Sequence, residues 1–111
     1  MANAYKILGQ ANLTAETATD VYTVPSSTET VISTIIIANL AATANTFRIS
    51  LRPDGGAQAD AMYIAYDVPI AANDSTTLTL GITLNAADVV TCYSGASADI
   101  SVNIFGTEIT A

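Results

Sequence analysis

The chain has 111 residues, half of them hydrophobic, and carries a formal net charge of −7 at pH 7. This length predicts one domain with one core, and the negative charge argues against a nucleic-acid partner because phosphate groups would be repelled. The chain contains no histidine, the usual general base and transition-metal ligand, so we expect no catalytic residues, no bound metal and no cofactor.

The N-terminal region lacks the basic segment and the long apolar core of a secretory signal. Nowhere does an apolar run approach the ~20 residues of a membrane-spanning helix, so we expect no membrane partner. These features favour a chain that stays in the cytosol or leaves it as part of a larger assembly.

Residues 5–13 predict a first strand, and residues 14–20 predict a polar loop. Residues 1–20 would thus be an N-terminal arm or a first strand with its loop, and residues 21–111 the main domain.

The most strongly patterned stretch comprises two predicted strands, residues 29–38 and 44–52. In the second strand, apolar and polar side chains alternate, which is typical of a half-buried strand. Its apolar members are Phe47, Ile49 and Leu51, and its polar members are Arg48, Ser50 and Arg52. In the first strand, the same period of two puts isoleucines on both faces, so neither face is predicted to be solvated. One face carries Ile35 and Ile37, and the other carries Ile32 and Ile36.

Four more strands are predicted in the second half of the chain. The first would carry Met62, Ile64, Tyr66 and Val68 on one face and Tyr63, Ala65 and Asp67 on the other. The clearest amphipathic strand follows, with Thr77, Thr79 and Thr83 on one face and Leu78, Leu80, Ile82 and Leu84 on the other. After a strand over residues 89–93 and a link over residues 94–98, the last strand would point Ile100, Val102 and Ile104 inward.

A further short strand is predicted over residues 21–24, which ends at Pro25. The total of about eight short strands with no helical segment predicts an all-β fold. The expected architecture is an antiparallel β-sandwich of about eight strands, of jelly-roll or immunoglobulin-like type, with residues 21–111 as its main domain. The single cysteine, Cys92, cannot form an internal disulfide and is expected to be a small apolar core residue. Asp74 and Asp88 lie beside turns, where Asp commonly bonds the backbone, and a calcium site is the alternative for them.

The candidate binding residues are the few cations and the longest irregular stretch. Arg48 and Arg52 are expected on the outer side of one strand, ~13 Å apart at ~3.3 Å per residue. Each would pair with a carboxylate of its own chain or with one of a neighbouring subunit. Residues 53–61, with their paired glycines, predict a protruding and adaptable loop. The predicted partner-binding residues are Arg48, Arg52, Asp54, Gly55, Gly56, Gln58, Asp60, Tyr5 and Lys6.

Apolar side chains that are predicted to face outward indicate self-association. They are Ile32, Ile36, Tyr63 and Phe105. A small sandwich has one core side for each sheet, so apolar residues on the other side must be covered by a loop or by a partner. We therefore expect a homo-oligomer, with a trimer as one candidate.

Several segments together resemble a group of small virion proteins of tailed bacteriophages. They are VYTVP at 21–25, STIIIAN at 33–39, FRISLRP at 47–53, YIAYDVPI at 63–70, ND at 73–74, LTLGITL at 78–84 and DVV at 88–90. The likeness covers the chain from about Val21 to its end. The resemblance implies a β-sandwich that serves as a structural component of the phage particle and has no catalytic residues.

From this resemblance we expect a capsid decoration or cement protein that oligomerises on the phage head and stabilises contacts between major capsid subunits. Its partner would be the major capsid protein, and its location the virion, after synthesis in the host cytoplasm. One alternative is a structural component of the tail, baseplate or fibre. Another is a carbohydrate-binding adhesin module in which Tyr63, Tyr66 or Tyr93 stacks on a sugar ring, although the lack of tryptophan counts against it. An enzyme is not expected.

Overall fold

The computed structural model describes residues 2–95 and 99–110, so part of the predicted link at 94–98 lies outside the described residues. The described residues form eight strands and two short 3₁₀ turns, Pro53–Gly55 and Asp60–Met62. The strands are β1 (Ala2–Leu13), β2 (Thr19–Thr23), β3 (Thr28–Asn39), β4 (Asn45–Arg52), β5 (Tyr63–Ile70), β6 (Ser75–Leu84), β7 (Val89–Ser94) and β8 (Ile100–Thr110). No helix among these residues is long and apolar enough to cross a membrane.

Within the described part of the chain, the strands form two four-stranded antiparallel sheets. Sheet A has the order β1-β8-β3-β6, and sheet B has the order β2-β7-β4-β5. The pairs β1 with β8, β2 with β7, β3 with β6 and β4 with β5 are nested, as in one long hairpin rolled into two layers. This order is that of a jelly roll. The predicted β-sandwich is confirmed, and of its two expected types the structure has the jelly roll.

The core lies between the two sheets and is built from alternate residues of their strands. Phe47 and Ile49 of β4 are buried, and Leu51 is partly buried and packs against them. Ile100, Val102 and Ile104 of β8 are fully buried, as predicted. Burying each of these side chains contributes about 1.5–3 kcal/mol, so the core strands supply most of the driving force for folding.

The predicted facing of β3 is wrong at Ile32, because the strand contains a β-bulge. The pairing of β3 with β8 and with β6 skips Ser33, whose hydroxyl donates a hydrogen bond to the Phe105 carbonyl at 3.2 Å. One extra residue shifts the alternation, so Ile32 lies on the same face as Ile35 and Ile37. All three side chains are fully buried, and only Ile36 of the expected outward pair faces outward.

The predicted facing of β5 is also wrong from Ile64 to Tyr66, because the pairing with β4 skips Ile64. Ala65 faces the core, whereas Ile64 and Tyr66 are 43% and 56% exposed. Asp67 has a left-handed backbone, with φ of 50°, and the pairing with β4 is irregular at this point. The irregularity restores the expected facing beyond it, where Val68 packs against the core and Ile70 is buried.

In β6 the threonines at 77, 79 and 83 are exposed and lie on the outer face, as predicted. Leu78 and Ile82 pack against the core, and Leu84 is buried. Leu80, predicted to face inward with them, is 36% exposed because β6 contains two unpaired residues between Thr79 and Ile82. The inward prediction for Leu80 is therefore wrong.

Cys92 is buried in β7 with 1% of its surface exposed, and burial raises the pKa of its thiol to about 12. A buried thiol that stays protonated is a poor nucleophile. We expect no reaction with Ellman's reagent at pH 8 in the folded state and full reaction in guanidinium. Labelling of the native protein as fast as that of the unfolded chain would contradict this burial.

Candidate functional site

With the exception of Lys6, the predicted partner-binding residues lie on the two outer faces of the sandwich. Tyr5 lies on the outer face of sheet A and is 82% exposed. Lys6, the next residue, turns to the inner side, where its Nζ lies 2.6 Å from Glu108 Oε1. Arg48 and Arg52 lie on the outer face of sheet B with residues 53–61 beside them. The predicted residues that face outward therefore belong to two separate surfaces.

Arg52 fastens the link between β4 and β5 to sheet B. Its Nε donates to Thr91 Oγ1 at 3.0 Å, and its Nη2 donates to Asp20 Oδ1 at 2.9 Å. Its Nη1 donates to the carbonyl oxygens of Gly55 and Gly56 at 3.0 and 2.8 Å. The guanidinium thus pairs with a carboxylate of its own chain and joins residues 55 and 56 of the link to sheet B, while the link itself is exposed except at Gly56.

Replacing Arg52 with alanine should loosen this link, with a loss of about 1–2 kcal/mol in the free energy of unfolding. Hydrogen–deuterium exchange of residues 53–62 should become faster, while exchange in β8 should change little. Arg52→Lys should behave like the alanine variant, because an ammonium group cannot reproduce the planar set of N–H donors of the guanidinium. Unchanged protection of the link in Arg52→Ala would show that other contacts hold it.

The turn carboxylates serve the backbone. Asp88 accepts hydrogen bonds from the N–H groups of Asp54 and Asn85 at 3.0 and 2.8 Å. Asp74 accepts one from the N–H of Ser75 at 2.8 Å. No group of three or more metal-ligating side chains occurs in residues 2–95 and 99–110. These contacts account for Asp74 and Asp88 as turn-stabilising residues.

Arg48 lies in a cluster of tyrosines on the same outer face. Its guanidinium carbon is 4.2 Å from the centre of the Tyr66 ring and 4.4 Å from that of Tyr93. Its Nε and Nη2 donate to the two carboxylate oxygens of Asp67 at 2.7 and 3.3 Å. Tyr63 packs against Tyr66 with the rings nearly perpendicular and their centres 4.8 Å apart. The cation is thus held by two rings and one carboxylate of its own chain.

Between the two arginines, the outer face of sheet B contains a cavity of about 200 Å³, which we call the sheet-B cavity. Its lining includes Asp20, Arg48, Ser50, Gln58, Tyr63 and Tyr93. Register brings these residues together, because Asp20 pairs with Thr91, Thr91 with Ser50, and Ser50 with Tyr63. Sequence reasoning found the arginines but not this row, since the row depends on the order of four strands.

A second polar group, missed by sequence reasoning, joins the two sheets on the inner side. Tyr22 of sheet B donates from its hydroxyl to Glu108 Oε2 at 2.6 Å and also bonds Thr30 Oγ1 at 2.8 Å. Burial and the hydrogen bond to Glu108 raise the pKa of Tyr22 to about 12. The hydrogen bonds from Lys6 and Tyr22 lower the pKa of Glu108. Glu108 is therefore ionised and satisfied at neutral pH, and this group has a structural role.

The outer face of sheet A presents two neighbouring rows of exposed or partly exposed residues. In one row Tyr5 pairs with Thr107, and Thr107 pairs with Val31. In the next row Ile7 pairs with Phe105, and Phe105 pairs with Thr34. We call these six residues the sheet-A face. Tyr5, Ile7 and Val31 are 82%, 52% and 36% exposed, and Phe105 is partly exposed.

No protein-family model matches the chain, and no curated protein matches it either. The fold and its two outer surfaces are therefore the basis for assigning a function. The sheet-A face offers apolar contact, and the sheet-B cavity offers aromatic rings and hydrogen-bonding groups.

Proposed function

We propose that this chain is a virion structural protein of a tailed bacteriophage, a capsid decoration or cement protein that stabilises contacts between major capsid subunits. The sheet-A face is the observation that carries the proposal, because it leaves aromatic and aliphatic side chains exposed in adjacent rows. Two further points support it. Jelly rolls are common among viral capsid domains, although a fold alone does not define a function, and seven segments of the sequence resemble those of small phage virion proteins.

Contiguity distinguishes the sheet-A face from ordinary surface. Single exposed apolar side chains are normal in soluble proteins, but adjacent ones gain free energy when a partner covers them, at roughly 25 cal/mol per Å². Strand β1 adds an open edge, because in the described structure it pairs only with β8. A neighbouring capsid subunit or a second copy of this chain would cover both features, and the homo-oligomer expected from the sequence is part of the proposal.

The stabilising mechanism is mass action. A protein that binds the assembled shell but not its dissociated subunits stabilises the shell by RT ln(1 + [L]/Kd), about 2.7 kcal/mol per site at a concentration of 100 Kd. The effect is repeated over many equivalent sites of a capsid. No reactive side chain is needed for this role.

The test is binding to phage heads that lack the protein. Wild-type chain should co-sediment with the heads and raise their melting temperature. A Tyr5→Ser, Ile7→Ser double variant should bind at least about tenfold more weakly, since one lost apolar anchor can cost more than 1.4 kcal/mol. Its own stability should change by less than about 0.5 kcal/mol, because both side chains are exposed.

The matched control is Tyr66→Ser, an exposed tyrosine on sheet B. It should bind heads as tightly as wild type. Failure of the wild-type chain to bind heads would overturn the proposal. If the double variant bound heads as tightly as wild type, the sheet-A face would not be the surface that contacts the capsid.

A further inference from the structure

We infer that the sheet-B cavity binds one neutral pyranose sugar, an activity distinct from the proposed structural role. The cavity is small, at about 200 Å³, or about seven waters at ~30 Å³ each. It is below the usual ~300–1,000 Å³ of sites for larger ligands. A single sugar ring is a ligand of suitable size.

The lining combines the two kinds of group that a sugar ring requires. Tyr63 and Tyr93 line the cavity with aromatic surface, against which the C–H groups of a pyranose can pack. Asp20 supplies a carboxylate acceptor, and Arg48 supplies guanidinium donors for hydroxyl groups. Among the described residues, the hydroxyls of both tyrosines and the Nη1 of Arg48 make no hydrogen bond with the protein, so they remain available to a ligand.

The polar side chains of the cavity are already fixed by bonds to one another. Ser50 donates to Gln58 Oε1 at 2.6 Å, and Thr91 donates to Asp20 Oδ1 at 3.0 Å. The Asp20 carboxylate also accepts from Arg52. Groups held in place before binding lose little conformational entropy when a ligand arrives. The site is therefore preorganised in the absence of sugar.

The charge balance favours a neutral ligand over an anion. Each arginine at the cavity is paired with a carboxylate, Arg48 with Asp67 and Arg52 with Asp20. The chain as a whole carries a net charge of −7. An anionic ligand would find no uncompensated cation here and would be repelled by the overall field. A neutral polyol needs only hydrogen bonds and apolar contact.

Saturation-transfer difference NMR with the full chain tests the inference. The probes are the methyl glycosides of glucose, galactose and mannose, with N-acetylneuraminic acid as the anionic comparison. At least one neutral glycoside should receive saturation at its ring protons, with a dissociation constant on the order of 1 mM, as expected for so small a ligand. No transfer to any neutral glycoside, or transfer to the acidic sugar alone, would overturn the assignment.

Two variants locate the site, and one serves as the control. Tyr63→Ala and Gln58→Ala should each weaken binding at least about fivefold, and Gln58 is an exposed link residue whose loss should leave the fold intact. Tyr5→Ala removes an equally large ring from the opposite sheet and should bind as wild type. Unchanged affinity in the folded Gln58→Ala and Tyr63→Ala variants would show that the sugar binds elsewhere.

Discussion

Replacing Gly106 with alanine is expected to lower the free energy of unfolding by about 3 kcal/mol. Gly106 lies in β8, where it pairs with Lys6 on one side and Ile32 on the other. A Cβ atom there would overlap the carbonyl oxygen of Val31 and lie 3.0 Å from the Cα of Ile32. Relief of the overlap requires β8 and β3 to separate at the level of the Ser33 bulge, in the middle of sheet A.

Gly81→Ala is the matched control for Gly106→Ala. Gly81 lies in β6 of the same sheet, and a Cβ atom there would meet no heavy atom within 4 Å. Its replacement should change stability by less than about 0.5 kcal/mol. Urea unfolding followed by circular dichroism measures both values. A Gly106→Ala protein as stable as wild type would mean that β3 and β8 are not packed as closely as the structure shows.

The second large effect is expected for Glu108→Ala, again about 3 kcal/mol at pH 7. Hydrogen bonds to charged groups contribute about 1.5–3 kcal/mol each, and Glu108 accepts one from Lys6 and one from the buried hydroxyl of Tyr22. Removing the carboxylate leaves that hydroxyl with Thr30 alone. The variant also loses the hydrogen bond between Tyr22 and Glu108, which joins sheet B to sheet A.

The Glu108 contribution should depend on pH. The hydrogen bonds from Lys6 and Tyr22 hold the folded pKa of Glu108 below its ordinary value of 4.5. Its stabilisation is therefore fully present above about pH 4.5 and is lost as the pH falls through the folded pKa. The stability difference between wild type and Glu108→Ala should accordingly shrink on acidification.

Glu29→Ala is the control for Glu108→Ala, because Glu29 is exposed on the same sheet and makes no hydrogen bond or ion pair in the described structure. It should cost less than about 0.5 kcal/mol at pH 7. Urea unfolding at a series of pH values measures both variants. A pH-independent difference for Glu108→Ala would mean that the carboxylate titrates as it does in the unfolded chain.

The period of two was sufficient to predict strands and their inner faces where pairing is regular. It correctly placed Phe47 and Ile49 of β4 and the three apolar residues of β8 in the core. The predicted facing was wrong at Ser33, near Asp67 and at Leu80, because the pairing of the strands is irregular at each of these places. A bulge is defined by the neighbouring strand, and that strand is not identified by local sequence.

The candidate surfaces were predictable only in part, for the same reason. The alternation in β4 put Arg48 and Arg52 on the outer face, but their partners depend on strand order. Asp20, which pairs with Arg52, is 32 residues distant in sequence. The bond between Tyr22 and Glu108 joins residues 86 positions apart. Such contacts follow from the jelly-roll nesting, which composition and spacing did not distinguish from an immunoglobulin-like order.

The most direct measurement of the proposed role is the copy number of this chain, relative to the major capsid protein, in purified virions of a phage whose genome encodes the chain. Quantitative mass spectrometry of gradient-purified particles would supply the ratio. A decoration protein of the head should be present in copies comparable to those of the major capsid protein. Its absence from the particles, or a ratio typical of a few tail subunits, would contradict a place on the capsid.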